Sequence, residues 1–328
     1  MPIVYFATNR NPNRKTDPDD FDGRFNAESV DSLRFGRADV QRSADGYEVT
    51  AVHVAPERLR QDQAKSLLGS ANVFEELRDR MRQGRDALAF IHGYNVDFRE
   101  ALVTGARLAD AYGPDLEVVV FSWPSDGSML PFLAYKRDRT DAAASAPAFA
   151  RALLKLRDFV HEVRRGDECG SRLHLMAHSM GNYVLRHGIQ EVLRHGSIPR
   201  VFDQVFLMAA DEDDDAFELD HKLRPLPHLG QGVHVYFNRG DTALVISDRT
   251  KANPTRLGSR GPREPLNVPA SVTIVDVSEV VGGMIEHDYL VRDPRTVRDV
   301  SAVLAGEPND LIAGRRYVAS QNRYVLEK

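Results

Sequence analysis

Eight short runs rich in β-branched and aromatic residues, separated by longer amphipathic runs, constrain this chain more than any other feature of it. The short runs fall at 3–8, 48–54, 87–93, 116–123, 172–178, 204–210, 233–238 and 272–277. Between them the period becomes that of a helix over 97–112, 140–165, 180–195 and 294–305, with a short helical turn over 242–247. Gly166 and Gly196 stop two of the helices, and Asp293 followed by Pro294 opens the last one as cap and first turn. Strands that alternate with helices pack as a mostly parallel sheet covered on both faces, and the continuously apolar central runs read as strands buried on both sides. The expectation is an α/β fold: a mostly parallel central sheet of about eight strands, helices on both faces, and one domain spanning 1–328. Two stretches, 9–46 and 249–270, are crowded with Asn, Asp, Gly or Pro and read as irregular surface excursions. There is no internal repeat.

Bulk properties narrow the function. With 328 residues, 42% of them hydrophobic, the chain has material for a large core. A net charge of -5 gives no reason to expect nucleic acid or an anionic membrane as partner. Cys169 is the only cysteine, so no intramolecular disulfide can form and a zinc site built on several thiolates is excluded. The opening "MPIVYFATNRNP" reads as a strand and carries no basic n-region or small-residue cleavage site. No stretch reaches the ~18 apolar residues of a membrane helix. These features lead us to expect a cytoplasmic protein with no membrane insertion, and they leave its oligomeric state open.

One serine stands out. In "LHLMAHSMGNYVLRHG" (173–188) a strand pattern runs through a small-residue corner into a helix pattern. "AHSMG" matches G-x-S-x-G with Ala177 in the first glycine position, and the crowding of strand and helix at such a corner admits only small flanks, here Ala177 and Gly181. The corner would lift the Ser179 hydroxyl above the carboxyl end of the sheet, with the Met180 amide facing the same space. A bare S-x-G would more often be a helix cap; strand, corner and helix in this order favour a nucleophile.

The remaining parts follow from what such a serine needs. Oxyanion donors are expected from Met180 and from Tyr94, which follows the strand ending in His92-Gly93. His92 itself reads equally well as a packed core histidine or as a residue near the substrate. Of eleven histidines, His53, His161, His174 and His195 fall in strand or helix runs and His178 is the variable corner residue. His287, in "VGGMIEHDYL" after the last strand run, is the expected general base. For the acid, Asp241 in "NRGDTAL" is preferred to Asp211, whose run "DEDDD" (211–215) reads as a solvated acidic helix start, and to Asp248. That acidic run could also be read as a divalent-metal site, but consecutive carboxylates point in different directions.

Taken together, "VYFATNR" (4–10), "FIHGYN" (90–95), "FSWPSDG" (121–127), "AHSMGN" (177–182), "NRGDTAL" (238–244), "RLG" (256–258) and "EHDYL" (286–290) resemble the bacterial α/β-hydrolase family DUF900, a group of esterase- or lipase-like proteins. The resemblance spans nearly the whole chain in order. It implies the α/β-hydrolase fold and a triad of Ser179, His287 and Asp241, and it supplies no substrate. The expected activity is hydrolysis of a small carboxylic ester through an acyl-enzyme on Ser179, with no cofactor and no metal. Thioesterase, acyltransferase or non-catalytic binding functions on the same fold are the alternatives. The segment 123–147, with Trp123, Phe132 and Tyr135, reads as a lid over an apolar pocket to which His92, Trp123, Asn182 and Phe132 would contribute.

Overall fold

The computed structural model describes residues 2–26, 33–44, 46–56, 69–125, 131–164, 170–244, 255–282 and 287–328, without the side chains of 131–133 and 161–164. The chain divides into two compact units, 1–173 and 174–328. Among the described residues no helix is long and apolar enough to cross a membrane.

In the first unit, β1 (Ile3–Thr8), β2 (Arg34–Ser43), β3 (Gly46–Val54), β4 (Asp86–Ile91) and β5 (Leu116–Ser122) lie in the order β4-β5-β1-β2-β3. β4, β5 and β1 are parallel; β2 and β3 add an antiparallel hairpin. Helices α1 (Gly69–Arg82), α2 (Phe98–Tyr112), α3 (Pro131–Ala144) and α4 (Ala146–Arg164) accompany them. The expected helix over 140–165 is thus the end of α3 and the whole of α4, broken at Ser145, where Pro147 begins a new first turn. α2 starts on a complete capping box: the Asp97 side chain accepts from the Glu100 amide at 2.8 Å and Glu100 accepts from the Asp97 amide at 3.0 Å. It then packs so closely that a Cβ on Gly105 would lie 2.7 Å from Val4 and 2.8 Å from Val120.

The stretch 9–46 is more ordered than its composition suggests. Arg10 is fully buried and donates to Ser122 Oγ at 2.9 Å and to the carbonyls of Ser125 at 3.1 Å and Val96 at 2.7 Å. Burial lowers its pKa to about 10, so it keeps its charge at neutral pH. Residues 34–43, expected as loop, are the strand β2. Only Phe35, Gly36, Ala38 and Val40 of that strand are buried, between charged residues that face out, so its apolar signal is thin.

In the second unit, β6 (Leu173–His178), β7 (Phe202–Met208), β8 (Gly230–Phe237), β9 (Val272–Asp276), β10 (Arg315–Val318) and β11 (Arg323–Leu326) lie in the order β10-β11-β9-β8-β7-β6. All neighbouring pairs from β6 to β11 are parallel, and β10 folds back antiparallel on β11. Helix α5 (Gly181–His195) follows β6, and α6 (Pro294–Leu304) opens as expected, with the Asp293 side chain accepting from the Thr296 amide at 2.7 Å. All eight expected strands are present. β2, β10 and β11 bring the described total to eleven rather than eight. The last two, RRYV and RYVL, are four residues each, too short for a periodic signal.

Replacing Gly105 with valine should destabilise the protein by about 1–3 kcal/mol, because α2 would have to lift away from β1 and β5. An unchanged urea midpoint would contradict the close approach.

Candidate active site

The second unit gathers Ser179, His287 and Asp241. β6 is buried to Ala177, and the chain then reverses at Ser179, whose φ of +51° is a left-handed backbone that non-glycine residues seldom adopt. Holding a serine there costs about 1–3 kcal/mol, so neighbouring bonds must impose it. The Ser179 amide donates to the Met208 carbonyl at 3.0 Å, and the Ser179 carbonyl accepts from the amides of Asn182 and Asp211, each at 3.1 Å. Asn182, expected beside the substrate, is instead fully buried: its side-chain nitrogen reaches the carbonyls of Ala177 at 3.0 Å and Ser179 at 3.1 Å. It braces the corner from beneath. Met180 is buried at the start of α5. Ser179 keeps 7% of its surface exposed.

Asp241 follows β8 in a tight turn and its side chain is fully buried. One carboxylate oxygen accepts from the amides of Ala243 at 3.1 Å and Leu244 at 3.3 Å. The other lies 2.7 Å from His287 Nδ1. Facing an ionised carboxylate, Nδ1 carries the proton, which leaves Nε2 with the lone pair a base requires. Burial alone would pull His287 down; the bond to Asp241, its charge, and the charges of Asp288 and Asp211 outweigh it and hold the imidazole above its ordinary value of 6.5.

The segment carrying His287 is anchored by Tyr289. The buried Tyr289 hydroxyl donates to the Tyr236 carbonyl at 3.0 Å and accepts from the Ala209 amide at 2.8 Å. His287 also meets the corner itself. His178, immediately before Ser179, places its Nε2 3.0 Å from the His287 carbonyl oxygen, and the two rings are 4.7 Å apart.

The "DEDDD" run is a correction to the expectation of a solvated helix start. It forms a buried turn, with Asp211 2%, Glu212 0% and Asp214 9% exposed. Glu212 pairs with Arg186 at 3.1 Å, Asp213 with Lys222 at 2.8 Å and with Arg256, and Asp215 with Lys222. Asp211 lies 3.7 Å from the fully buried Arg256 and acts on His287 through its charge; Asp241 is the carboxylate bonded to the ring. Among the described residues no three His, Cys, Asp or Glu side chains are grouped to hold a metal ion. Gly258, from the "RLG" motif, seats against the same turn. A Cβ there would lie 2.3 Å from the Ala209 carbonyl carbon and the Ala210 nitrogen, so only glycine lets the Gly258 amide reach the Ala210 carbonyl at 2.9 Å.

The other expected residues belong to the first unit. His92 is 1% exposed and stacks on the fully buried Trp123 at 5.2 Å. Its Nδ1 donates to the Gly93 carbonyl at 2.9 Å, its Nε2 accepts from the Trp123 amide at 3.2 Å, and the Trp123 indole donates to the His92 carbonyl at 2.9 Å. Both side chains therefore fix the backbone after β4 and β5. Tyr94 sits in that turn against Tyr135, rings 5.7 Å apart, beside Asn95 at φ +58°. Part of the proposed lid, 126–130, lies outside the described residues; so do the Phe132 side chain and Asp248. In the described part of that segment, Ser125 and Asp138 are both fully buried and the Ser125 hydroxyl donates to the Asp138 carboxylate.

The family model described as "Alpha/beta hydrolase of unknown function (DUF900)" matches residues 70–306. The chain belongs to that family of α/β hydrolases. A curated relative, "Uncharacterized protein alr1448" of Nostoc sp., is 27% identical over an alignment covering 48% of this chain and 52% of that protein. The chain thus spans about half the length of the curated relative it matches. Among solved structures, Aspergillus fumigatus lipase B is similar at a TM-score of 0.40 and 11% identity, over 76% of this chain and 59% of the lipase.

The His287–Asp241 pair has a signed consequence for stability. A folded pKa raised above 6.5 means that the pair's contribution is fully present below that value and is lost as pH rises through the folded pKa. The gap in Tm between the native protein and Asp241→Asn should therefore narrow as pH rises from about 5 to about 9. A constant gap would show that the two groups are not linked.

Proposed function

We propose that the protein is a serine hydrolase of carboxylic esters, working through an acyl-enzyme on Ser179. The observation that carries this reading is the 2.7 Å bond from buried Asp241 to His287 Nδ1, in a segment touching the residue next to a left-handed serine. His287 Nε2 takes the Ser179 proton as Oγ bonds to the ester carbonyl carbon. The Met180 amide stabilises the developing oxyanion, and the reading assigns the second donor to the amide of Tyr94. Collapse breaks the bond to the alcohol oxygen, which leaves with the proton from His287. Water then attacks the acyl-enzyme by the same route in reverse, His287 taking its proton and returning it to Ser179. Asp241 keeps its charge and stabilises the imidazolium formed in each half-reaction.

The reading sets the substrate class as a small carboxylic ester, with an apolar acyl group as the expected preference and no cofactor. Thioesters, or an alcohol in place of water, would use the same groups. With its single cysteine, the chain is read as a cytoplasmic protein.

Labelling with a fluorophosphonate probe tests the nucleophile: native protein should label and Ser179→Ala should not, whereas equal labelling of both, or none of the native chain, removes the proposal. A non-catalytic binding module would give the latter result. On p-nitrophenyl esters, Asp241→Asn should lower kcat by roughly 10³–10⁴-fold, as loss of an orienting carboxylate does. The base must be neutral, so the acid limb of kcat/KM should sit above the ordinary imidazole value of 6.5 and move down in Asp241→Asn. A limb that stays in place would exclude His287 as the titrating group.

A further inference from the structure

His178 has no part in the roles assigned above, yet it is the residue that joins the corner to the base. Its Nε2 lies 3.0 Å from the His287 carbonyl oxygen. A carbonyl only accepts, so Nε2 carries the proton and donates. The two rings meet with centroids 4.7 Å apart and planes at 51°. Asp241 holds His287 through its ring and Tyr289 anchors the segment two residues further on, whereas His178 bonds to the His287 main chain itself. Since His178 closes β6 directly before Ser179, a bond from its side chain to the His287 main chain ties the position of the base to that of the nucleophile.

We propose that His178 is a positioning residue, which uses the Nε2–H bond to the His287 carbonyl to fix the base in register with Ser179. The inference rests on Ser179 and His287 acting as proposed above. Misplacement of a reacting group by about 1 Å can cost about 10²-fold in rate, and a bond to the His287 main chain opposes such a shift.

The charge of His178 also fits the role. Burial first, then the adjoining His287, lower its pKa to about 4 against the opposing pull of Asp288 and Asp241. His287 in turn faces Asp241, Asp288 and Asp211. His178 is therefore neutral wherever His287 can act as a base. It supplies a donor without placing a second positive charge beside the imidazolium that forms during the reaction. Protonation of His178 becomes appreciable only as pH falls toward 4, below the range in which the base is competent.

Two substitutions separate positioning from packing. His178→Phe keeps an aromatic ring but has no donor, and His178→Gln keeps a donor at similar reach. With p-nitrophenyl butyrate, His178→Phe should lower kcat by about 10-fold to 100-fold, with KM and Tm little changed. His178→Gln should recover most of the loss. Combined with Asp241→Asn, His178→Phe should cost much less than it does alone, because both groups position one residue, His287. If native protein labels at Ser179 with the fluorophosphonate and His178→Phe turns over as fast as native, positioning is overturned while the serine mechanism stands. A rise in KM with kcat intact overturns it equally. A native chain that neither labels nor turns over removes both.

Discussion

The hydrogen bond between Asp241 and His287 is the interaction on which the candidate site depends. It joins a turn after β8 to a segment 46 residues further along, and it decides which imidazole nitrogen holds the proton. Asp241 can do this because it has no other freedom. Its side chain is fully buried and its second oxygen is occupied by two backbone amides. A carboxylate with solvent around it could rotate; this one presents a single oxygen in a single direction. The ring it faces is consequently held in one tautomer, and its basicity is raised by charges that burial alone would have opposed.

Around that bond the second unit is built to hold strained or crowded backbone. Ser179 and Ala209 both take positive φ, at +51° and +44°. The first is bonded at its amide and carbonyl to Met208, Asn182 and Asp211, and the second is held by the Tyr289 hydroxyl. Gly258 fits against Ala209 where no side chain would. The buried carboxylates of the acidic turn are answered by Arg186, Lys222 and Arg256. Such pairs contribute little net stability once desolvation is counted, but removing one partner leaves a buried charge uncompensated. Their effect here is to fix the turn that carries the Asp211 amide onto the Ser179 carbonyl.

Much of this was legible in the sequence, and the parts that were not share a physical cause. The parallel strands show because both of their faces are buried and their apolar runs are continuous. β2 hides because Arg34, Arg37, Asp39 and Arg42 interrupt its few apolar residues, and β10, at the sheet edge, and β11, beside it, are only four residues long. At the candidate site, Ser179 shows through the small residues its corner requires, and Asp241 and His287 through their places after strands. Side-chain direction is what a sequence does not encode locally. His92, Trp123 and Asn182 carry chemistry suited to a pocket, yet all three are buried and spend their hydrogen bonds on backbone. The acidic run reads as solvated, because the arginines and lysine that neutralise it come from distant segments. His178 offered only its position beside the serine; its partner is 109 residues away in sequence.

Several of the sequence motifs acquire a physical meaning in this structure. The arginine of "ATNR" is buried to organise the turns after β4 and β5. "RLG" seats a glycine against the turn after β7, and the tyrosine of "EHDYL" anchors the segment that bears His287. These residues hold the backbone around the candidate site. Whether the geometry reacts is settled most directly by quenching the native protein with acid during turnover of p-nitrophenyl butyrate and locating any butyryl group by peptide mass spectrometry. A butyryl ester on the peptide containing Ser179, and on no other, is the expected result; turnover with that peptide unmodified, or with the group on a different residue, would contradict the account.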